Sequence, residues 1–197
     1  MMRRRTSSPD ERGAVMVEFA MCIPVLFLLL FGIIEFGFSY RDSLTVSAST
    51  RSAARVVSNA GDDPDADYLA LLQIEAALAE LPDQSTLQKI IVFEPTNADG
   101  DIPAACETAA AVTNGGITGQ CNVYSPAQMA VLDHTTYVNE GWAARFDPTT
   151  RETRQSVGTT WLGVQVVVDR DMVTDIIGID SIELDHTAVF RIEPEVE

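Results

Sequence analysis

A long apolar stretch from Gly13 to Tyr40 constrains the fold of this chain more than any other feature. Within it, sixteen uncharged residues, Phe19 to Ile34, separate Glu18 from Glu35. As a helix this run would extend roughly 24 Å, and the longer stretch from Ala14 to Tyr40 would extend roughly 40 Å. The longer length is enough to cross the ~30 Å hydrocarbon core of a bilayer. The stretch is therefore a membrane span or a signal sequence.

The charge of the chain is divided unevenly around this stretch. Residues 1–40 carry four basic and four acidic side chains, whereas residues 41–197 carry nine basic and 25 acidic ones, which accounts for the whole net charge of −16. An acidic domain repels phosphate backbones, which argues against nucleic-acid binding. Arginines precede the stretch and are retained on the cytoplasmic side. They are Arg3, Arg4, Arg5 and Arg12. We therefore expect a cytoplasmic N-terminus and an extracytoplasmic C-terminal domain.

These features divide the chain into three parts. Residues 1–13 form a short cytoplasmic leader, which is polar and expected to be disordered as far as residue 12. Residues 14–40 form the transmembrane helix, which we expect to continue over residues 41–60 and to stop near Gly61. Residues 62–197 form the extracytoplasmic domain, since enough chain remains after the span to bury a core.

Hydrophobic periodicity predicts alternating short helices and strands in the domain. The predicted helices run from about Asp62 to Pro82, from Ser125 to about Leu132 and from Asp171 to Ile177, and the predicted strands are Lys89–Glu94, Trp161–Val168 and Ser181–Ile192. Residues 95–120 resemble a loop, and residues 133–156 are polar and irregular, with Trp142 and Phe146 as anchors to the core. The fold class is α+β, with a short antiparallel sheet packed on a helix.

The segment just beyond the span is rich in small residues. Leu44, Ala48, Arg51 and Arg55 recur on one side of a helix, and Ser, Thr and Ala dominate around them. Small residues permit the close approach of a second helix. We therefore expect this segment to pack rather than to carry chemistry.

Glu18 is the most informative single residue, because an ionisable side chain within a span is costly. If the chain is cut after Gly13, Ala14 becomes the N-terminus and Glu18 the fifth residue, in the first helical turn, where the helix dipole favours a carboxylate. A neighbouring subunit could supply an amine to pair with it.

A short charged leader ending in Gly, an uncut helix and Glu at the fifth mature position resemble type IV prepilins. With Phe19, the motif GAVMVEF resembles the processing site of the TadE-like family of Tad (Flp) pilus pseudopilins. VEFAMCIPVLFLLLFGIIEFG, STRSAARVV (ending at residue 57) and the C-terminal AVFRIEP resemble this family as well.

The resemblance implies a pseudopilin or minor pilin in the cell membrane, with no enzymatic activity and no cofactor. A prepilin peptidase would cut after Gly13, and the helix would pack with other pilin or pseudopilin subunits through residues that include Ala14, Glu18 and Phe19. Two alternatives remain. One is a secreted enzyme or binding protein with an ordinary signal peptide cut near Ser47–Ala48, and the other is a bitopic envelope protein with an unrelated partner.

Cys106 and Cys121 lie in the same external segment, where we expect a structural disulfide rather than two free thiols. Closing the loop of about 15 residues would contribute ~3 kcal/mol. Cys22 lies within the span and is expected to be a small apolar packing residue.

Other polar residues are assigned no chemistry. His134 and His186 lack the spacing of a metal site and are expected at the surface. Asn97, Asp99 and Asp101 imitate the start of a calcium loop, but Ile102 stands where an EF-hand needs Gly, so an Asx-rich turn is the better interpretation. Weak calcium binding stays open as an alternative.

Overall fold

The computed structural model describes residues 9–97, 99–152, 161–173 and 180–192. It has five α-helices and five strands within these ranges. The helices are α1 (Pro9–Ala60), α2 (Ala66–Leu78), α3 (Ala109–Asn114), α4 (Pro126–Met129) and α5 (His134–Glu140). The strands are β1 (Ser85–Phe93), β2 (Gly116–Ile117), β3 (Cys121–Tyr124), β4 (Trp161–Asp171) and β5 (Ser181–Arg191). Two short 3₁₀ turns span Ala104–Glu107 and Pro148–Thr150.

Helix α1 is continuous over 52 residues, with Pro24 inside it. It ends at Ala60, and Gly61 follows with a φ of +59° while donating its N–H to the carbonyl of Val57. The predicted continuation beyond the apolar stretch and the stop near Gly61 are both confirmed. Residues 9–12, expected to be part of a disordered leader, are helical, and residues 1–8 lie outside the described ranges.

The strands form one antiparallel sheet in the order β2-β3-β1-β4-β5. The α+β class predicted from the sequence is confirmed. Strand β1 begins at Ser85 rather than at Lys89, because β4 is long enough to pair with its first residues, as in the pair Ser85 and Arg170. The predicted strands over Trp161–Val168 and Ser181–Ile192 are present, the first of them extended to Asp171.

The main core lies between one face of the sheet and the second half of α1, with α2 beside it. Alternate residues of β1 and β4 enter this core, and α1 contributes small side chains such as Ala53 and Ala54. Small residues allow α1 to lie close to α2 and to the sheet. The row of Leu44, Ala48, Arg51 and Arg55 is not this packing face, since all four residues are exposed.

A second, smaller core covers the opposite face of the sheet. It contains Ile91, Phe93 and Val123 together with the Cys106–Cys121 pair, and Ala111 of α3 closes it. The expectation of a plain loop over residues 95–120 is therefore wrong: a 3₁₀ turn, α3 and β2 lie there. Their apolar residues are few and small, so periodicity did not reveal these elements.

Three further boundaries differ from the sequence-based expectations. Helix α4 begins after Ser125 with the expected cap but ends at Met129, and α5 occupies part of the segment expected to be irregular. Asp171 ends β4 instead of opening a helix, and residues 174–177 of that expected helix lie outside the described ranges. Trp142 and Phe146 are buried anchors, as expected.

Candidate assembly site and its junction with the domain

The first half of α1 projects from the domain as an exposed apolar segment. All of residues 14–34 are exposed or partly exposed, including large side chains such as Phe19 and Leu26. These 21 residues extend roughly 32 Å, which matches the ~30 Å hydrocarbon core. The segment belongs to the helical stretch Gly13–Ala60, which is the one helix among the described residues that is long and apolar enough to cross a membrane. A core helix of a soluble domain would be covered, and this segment is not.

The residues predicted to serve processing and assembly lie at the start of this segment. All four residues lie in the first part of α1 and are exposed: Gly13, Ala14, Glu18 and Phe19. A Cβ atom built on Gly13 would meet no atom within 4 Å. Glu18 has no hydrogen bond or ion pair with any described residue of its own chain.

A buried cluster of charges joins α1 to the sheet where the apolar segment ends. Glu35, Ser39 and Asp42 recur at helical spacing on one side of α1, and all three are buried. Arg170 of β4 reaches them with a fully buried guanidinium. Its Nε donates to Asp42 Oδ2 at 2.6 Å, and its Nη1 donates to Ser39 Oγ at 2.9 Å and to Glu35 Oε1 at 3.3 Å.

Two further hydrogen bonds hold α1 to the sheet at the same junction. The N–H of Val173, just after β4, donates to Glu35 Oε1 at 2.7 Å. One turn further along α1, Ser43 Oγ is hydrogen-bonded to His186 Nε2 of β5 at 2.9 Å. A buried charge that loses its partner costs several kcal/mol, so these contacts hold α1 and the sheet in one orientation. We call Glu35, Ser39, Asp42 and Arg170 the junction cluster.

The junction cluster determines where the segment of α1 that is exposed on all sides ends, since the domain covers one side of the helix from Glu35 onward. Glu35 is covered by the domain, so the chain enters the domain at that residue rather than after Tyr40. Residues 35–60, expected to lie mainly outside the folded domain of residues 62–197, supply its central helix. One sequence signal marks this entry into the domain: Glu35 interrupts an apolar run, and such a charge needs a partner.

A second buried cluster connects α2 to strand β3 and to the segment that precedes β4. Asp67 accepts hydrogen bonds from Arg151 Nη2 at 2.7 Å, Asn122 Nδ2 at 2.8 Å and Tyr124 OH at 2.7 Å. By sequence, Asp67 is one of several acidic residues at the start of the helix predicted from about Asp62, where the helix dipole favours a carboxylate. Its full burial shows a different role, because the carboxylate holds together α2, β3 and the segment before β4.

The Asp67 cluster changes the acidity of two tyrosines. Burial, and next the charge of Asp67, raise the pKa of Tyr124 well above its usual value. Burial is also the larger cause, and the charge of Asp67 the next, of a raised pKa for Tyr137. Arg151 itself lies over the Phe146 ring, 4.7 Å from its centroid, and its Nε and Nη1 have no hydrogen-bond partner in the part of the chain that the structure describes.

Cys106 and Cys121 form a disulfide, with their Cα atoms 6.2 Å apart, as the sequence predicted. Cys22 is free and exposed on the apolar segment. His186 bonds to Ser43, whereas His134 is exposed and pairs with Asp65 at 3.0 Å. No group of three or more His, Cys, Asp or Glu side chains among the described residues is arranged to hold a metal ion.

The segment that imitated a calcium loop forms an Asx turn. Asn97 Oδ1 accepts the N–H groups of Asp99 and Asp101, at 3.1 and 3.2 Å, while Asn97 Nδ2 donates to Asp101 Oδ2 at 2.8 Å. Two of the polar side chains are thus bonded to each other. The turn needs no cation to satisfy them.

A shallow cavity of about 450 Å³ lies between α3, α4 and α5. Its charged side chains are engaged with its own wall: Glu140 accepts the indole N–H of Trp142 at 2.7 Å, and Arg145 Nε donates to the carbonyl of Asn114 at 3.0 Å. These contacts serve to position the segment after α5.

An exposed helix that is long and apolar enough to cross a membrane, joined to a small α+β domain, fits a single-pass membrane-anchored protein. The family model described as TadE-like protein matches residues 13–55, so this segment of the chain is TadE-like, as its motifs predicted. TadE-like proteins are components of pilus assembly. The match covers the apolar segment, the junction residues of α1 and the start of the packed helix.

No curated protein matches the chain. No solved structure matches it either.

Proposed function

We propose that this chain is a pseudopilin or minor pilin that takes part in assembly of, or secretion through, a Tad (Flp) pilus. The observation that carries the proposal is the exposed segment of residues 14–34, which begins at Gly13 and Glu18 and ends at the junction cluster. Before assembly this segment anchors the protein in the membrane. After assembly it packs with the helices of other pilin or pseudopilin subunits.

Cleavage after Gly13 by a prepilin peptidase converts the precursor to the assembling form. The new amino group of Ala14 and the carboxylate of Glu18 then lie within one helical turn of each other. In an apolar bundle an unpaired carboxylate is costly, which favours packing in which a neighbour's amine pairs with Glu18. Because Glu18 has no partner among the described residues of its own chain, it is available for this contact.

The protein crosses the membrane once, with its N-terminus in the cytoplasm. The arginines before the apolar segment support this orientation, since basic residues are retained inside. The Cys106–Cys121 disulfide supports it too, because disulfides persist in oxidising compartments outside the cytoplasm.

The mature N-terminus tests the processing step. The full chain is expressed in a membrane with and without a prepilin peptidase, and its intact mass is measured. We expect Met1 or Met2 at the start without the peptidase and Ala14 with it. Recovery of the uncut chain in both cases would remove the processing step from the proposal.

A matched pair of glycine variants makes this test specific. A Cβ atom added at Gly13 or at Gly32 meets no atom within 4 Å, and neither residue is buried, so we expect Gly13→Leu and Gly32→Leu both to fold. Only Gly13→Leu should prevent cleavage. Equal cleavage of the two variants would show that the peptidase does not recognise this glycine.

Glu18→Gln tests the assembly step, with Met21→Ala as the control on the same exposed segment. We expect Glu18→Gln to reduce incorporation into assembled pili by about tenfold or more, which corresponds to about 1.4 kcal/mol of lost interaction. Met21→Ala should assemble normally. Normal assembly of Glu18→Gln would favour the alternative of a bitopic envelope protein with an unrelated partner.

The alternative of a secreted protein cut near Ser47–Ala48 conflicts with the packing. Such a cut would remove Glu35, Ser39 and Asp42 and leave Arg170 buried without these side-chain partners. It would also remove Val46 from the core. Cell fractionation distinguishes the two, since a released species that starts near Ser49 would contradict the anchored pseudopilin.

A further inference from the structure

Helix α1 presents an exposed face on the side opposite to its packed residues. We call it the outer face, and it consists of Ile33, Tyr40, Leu44, Ala48, Arg51 and Arg55. Its successive residues are three, four or seven positions apart, which keeps them on one side of the helix. Ile33, Tyr40 and Leu44 are 71%, 68% and 54% exposed, so the apolar surface continues past the junction cluster.

Lipid alone does not cover this face. When residues 14–34 span the hydrocarbon core, Tyr40 lies roughly 9 Å and Leu44 roughly 15 Å beyond Ile34 along the helix axis. The headgroup layer is only about 5–8 Å thick on each side. Leu44 and much of Tyr40 would therefore face water in an isolated subunit, which is unfavourable for large apolar side chains.

The charge of the outer side of α1 is opposite to that of the rest of the domain. Residues 41–60 carry Arg41, Arg51 and Arg55 against a single acid, Asp42, which is bonded to Arg170. Residues 61–197 carry six basic and 24 acidic side chains, a net charge of −18. Arg41 and Arg51 are exposed and have no acidic partner among the described residues, while Arg55 lies over the Phe190 ring.

We propose that the outer face is a docking surface for a second copy of this chain. The exposed apolar segment of the neighbour covers Tyr40 and Leu44. Carboxylates on the neighbour's acidic domain pair with Arg51 of the outer face and with the exposed Arg41 at its edge. Because the basic apolar face of one copy meets a different surface of the next, the contact is heterologous and can repeat along an open filament. The proposal rests on the pilin-like function above and adds the face and the partner.

Self-association of the uncut full chain in a mild non-ionic detergent tests the charged part. The double variant Arg41→Glu/Arg51→Glu is compared with Lys89→Glu/Arg145→Glu, which changes the net charge by the same amount on other surfaces. Because Lys89 and Arg145 each donate to a backbone carbonyl, thermal unfolding of both variants is measured first, and the comparison uses conditions in which both are folded. In sedimentation equilibrium we expect about tenfold weaker association for the first variant and no change for the second. Equal effects of the two double variants, or no effect of either, would overturn the proposal.

A second pair of variants tests the apolar part. Leu44→Ala is compared with Leu69→Ala, since Leu69 of α2 is 41% exposed but lies off the outer face. We expect about fivefold weaker association for Leu44→Ala, with unchanged thermal unfolding of both variants. Association that depends on Leu69 as much as on Leu44 would count against this face.

Two further outcomes distinguish self-association through the outer face from lipid binding and from a failure of the proposed function. If Arg41→Glu/Arg51→Glu lowers binding to phosphatidylglycerol vesicles but leaves self-association unchanged, the face binds anionic lipid and the proposal is wrong. Since the association assay uses the uncut chain, it does not depend on cleavage after Gly13. Normal cleavage and Glu18-dependent assembly without an effect of the outer-face variants would overturn the face alone and leave the proposed function intact.

Discussion

Arg170 and Asp42 form a buried ion pair, in which the Nε of Arg170 donates to Asp42 Oδ2 across 2.6 Å. The same guanidinium reaches Glu35, so one side chain of β4 holds two carboxylates of α1. This pair ties the apolar helix to the sheet, so that a force on the helix reaches the domain directly. Several consequences of such buried contacts can be measured.

Arg170→Ala leaves Asp42 and Glu35 buried without their guanidinium. We expect it to lower the free energy of unfolding by about 3–5 kcal/mol, the usual effect of removing one partner from a buried pair. Urea unfolding of the full chain in detergent, followed by tryptophan fluorescence, measures the change. Arg51→Ala, at an exposed arginine of α1, should change stability by less than about 0.5 kcal/mol. Similar effects of the two variants would contradict a special role for Arg170.

Asp67→Ala removes the carboxylate that three buried side chains share. Because Arg151 then stays buried without a counter-charge, we expect a loss of about 3–5 kcal/mol. Asp83→Ala, at an exposed aspartate, is the control and should be nearly neutral. If both variants unfold at the same denaturant concentration, the Asp67 cluster does not stabilise the domain.

Alkaline pH should destabilise the domain, because burial raises the pKa of Tyr124 and of Tyr137. Below about pH 10 both tyrosines are neutral in the folded and unfolded states, so their contribution is constant. Above pH 10 the unfolded tyrosines lose protons while the folded ones keep them. The unfolded state then binds fewer protons, and the free energy of unfolding falls by up to about 1.4 kcal/mol per pH unit for each tyrosine.

Tyr137→Phe isolates one of these two contributions. The variant loses the Tyr137 hydroxyl, which donates a long hydrogen bond of 3.5 Å to the carbonyl of Pro64 and interacts with Tyr124. Between pH 10 and 11 we expect its stability to fall about half as steeply as that of the unmodified chain. An identical slope in both proteins would show that Tyr137 ionises normally in the fold.

Reduction of the Cys106–Cys121 disulfide should lower stability by ~3 kcal/mol, because the bond closes a loop of 15 residues in the unfolded chain. Thermal unfolding with and without a reducing agent measures the effect. The Cys106→Ala/Cys121→Ala variant should be insensitive to the reductant. Cys22→Ser, which leaves the bond intact, should respond as the unmodified chain does.

Gly163→Ala should destabilise the second core by about 1–3 kcal/mol, the usual cost of overpacking. A methyl group at Gly163 of β4 would collide with the ring of Phe93 on β1. Gly32→Ala, at a position with open space, should be neutral. Combining Gly163→Ala with Phe93→Leu should restore part of the lost stability, and no recovery would mean that the collision is not the cause.

The strong elements of this fold could be predicted because their signals are local. The apolar run of α1 and the β-branched run of β4 each specify their own structure. Helix α3 and strand β2 were not predicted, since they are short and lie in a segment rich in Gly and Ala. Such short elements form because the sheet and the disulfide hold them in place, which no local pattern records.

The residues of the candidate site divide in the same way. Gly13 and Glu18 were found because their meaning depends on their distance along one helix. Asp67 was seen only as part of an acidic helix start, since its partner Arg151 is 84 residues away. Glu35 was noted only as the end of an apolar run.

The sequence by itself determined that this chain has a long apolar helix, an acidic α+β domain and a TadE-like N-terminal segment. Those conclusions depend on periodicity, charge and short motifs, which are properties of neighbouring residues. Only the tertiary structure decided where the helix leaves the membrane-facing segment and enters the domain. The contact that decides it joins Glu35 to Arg170, 135 residues apart, and a pairing of that kind exists only once the sheet has packed against the helix.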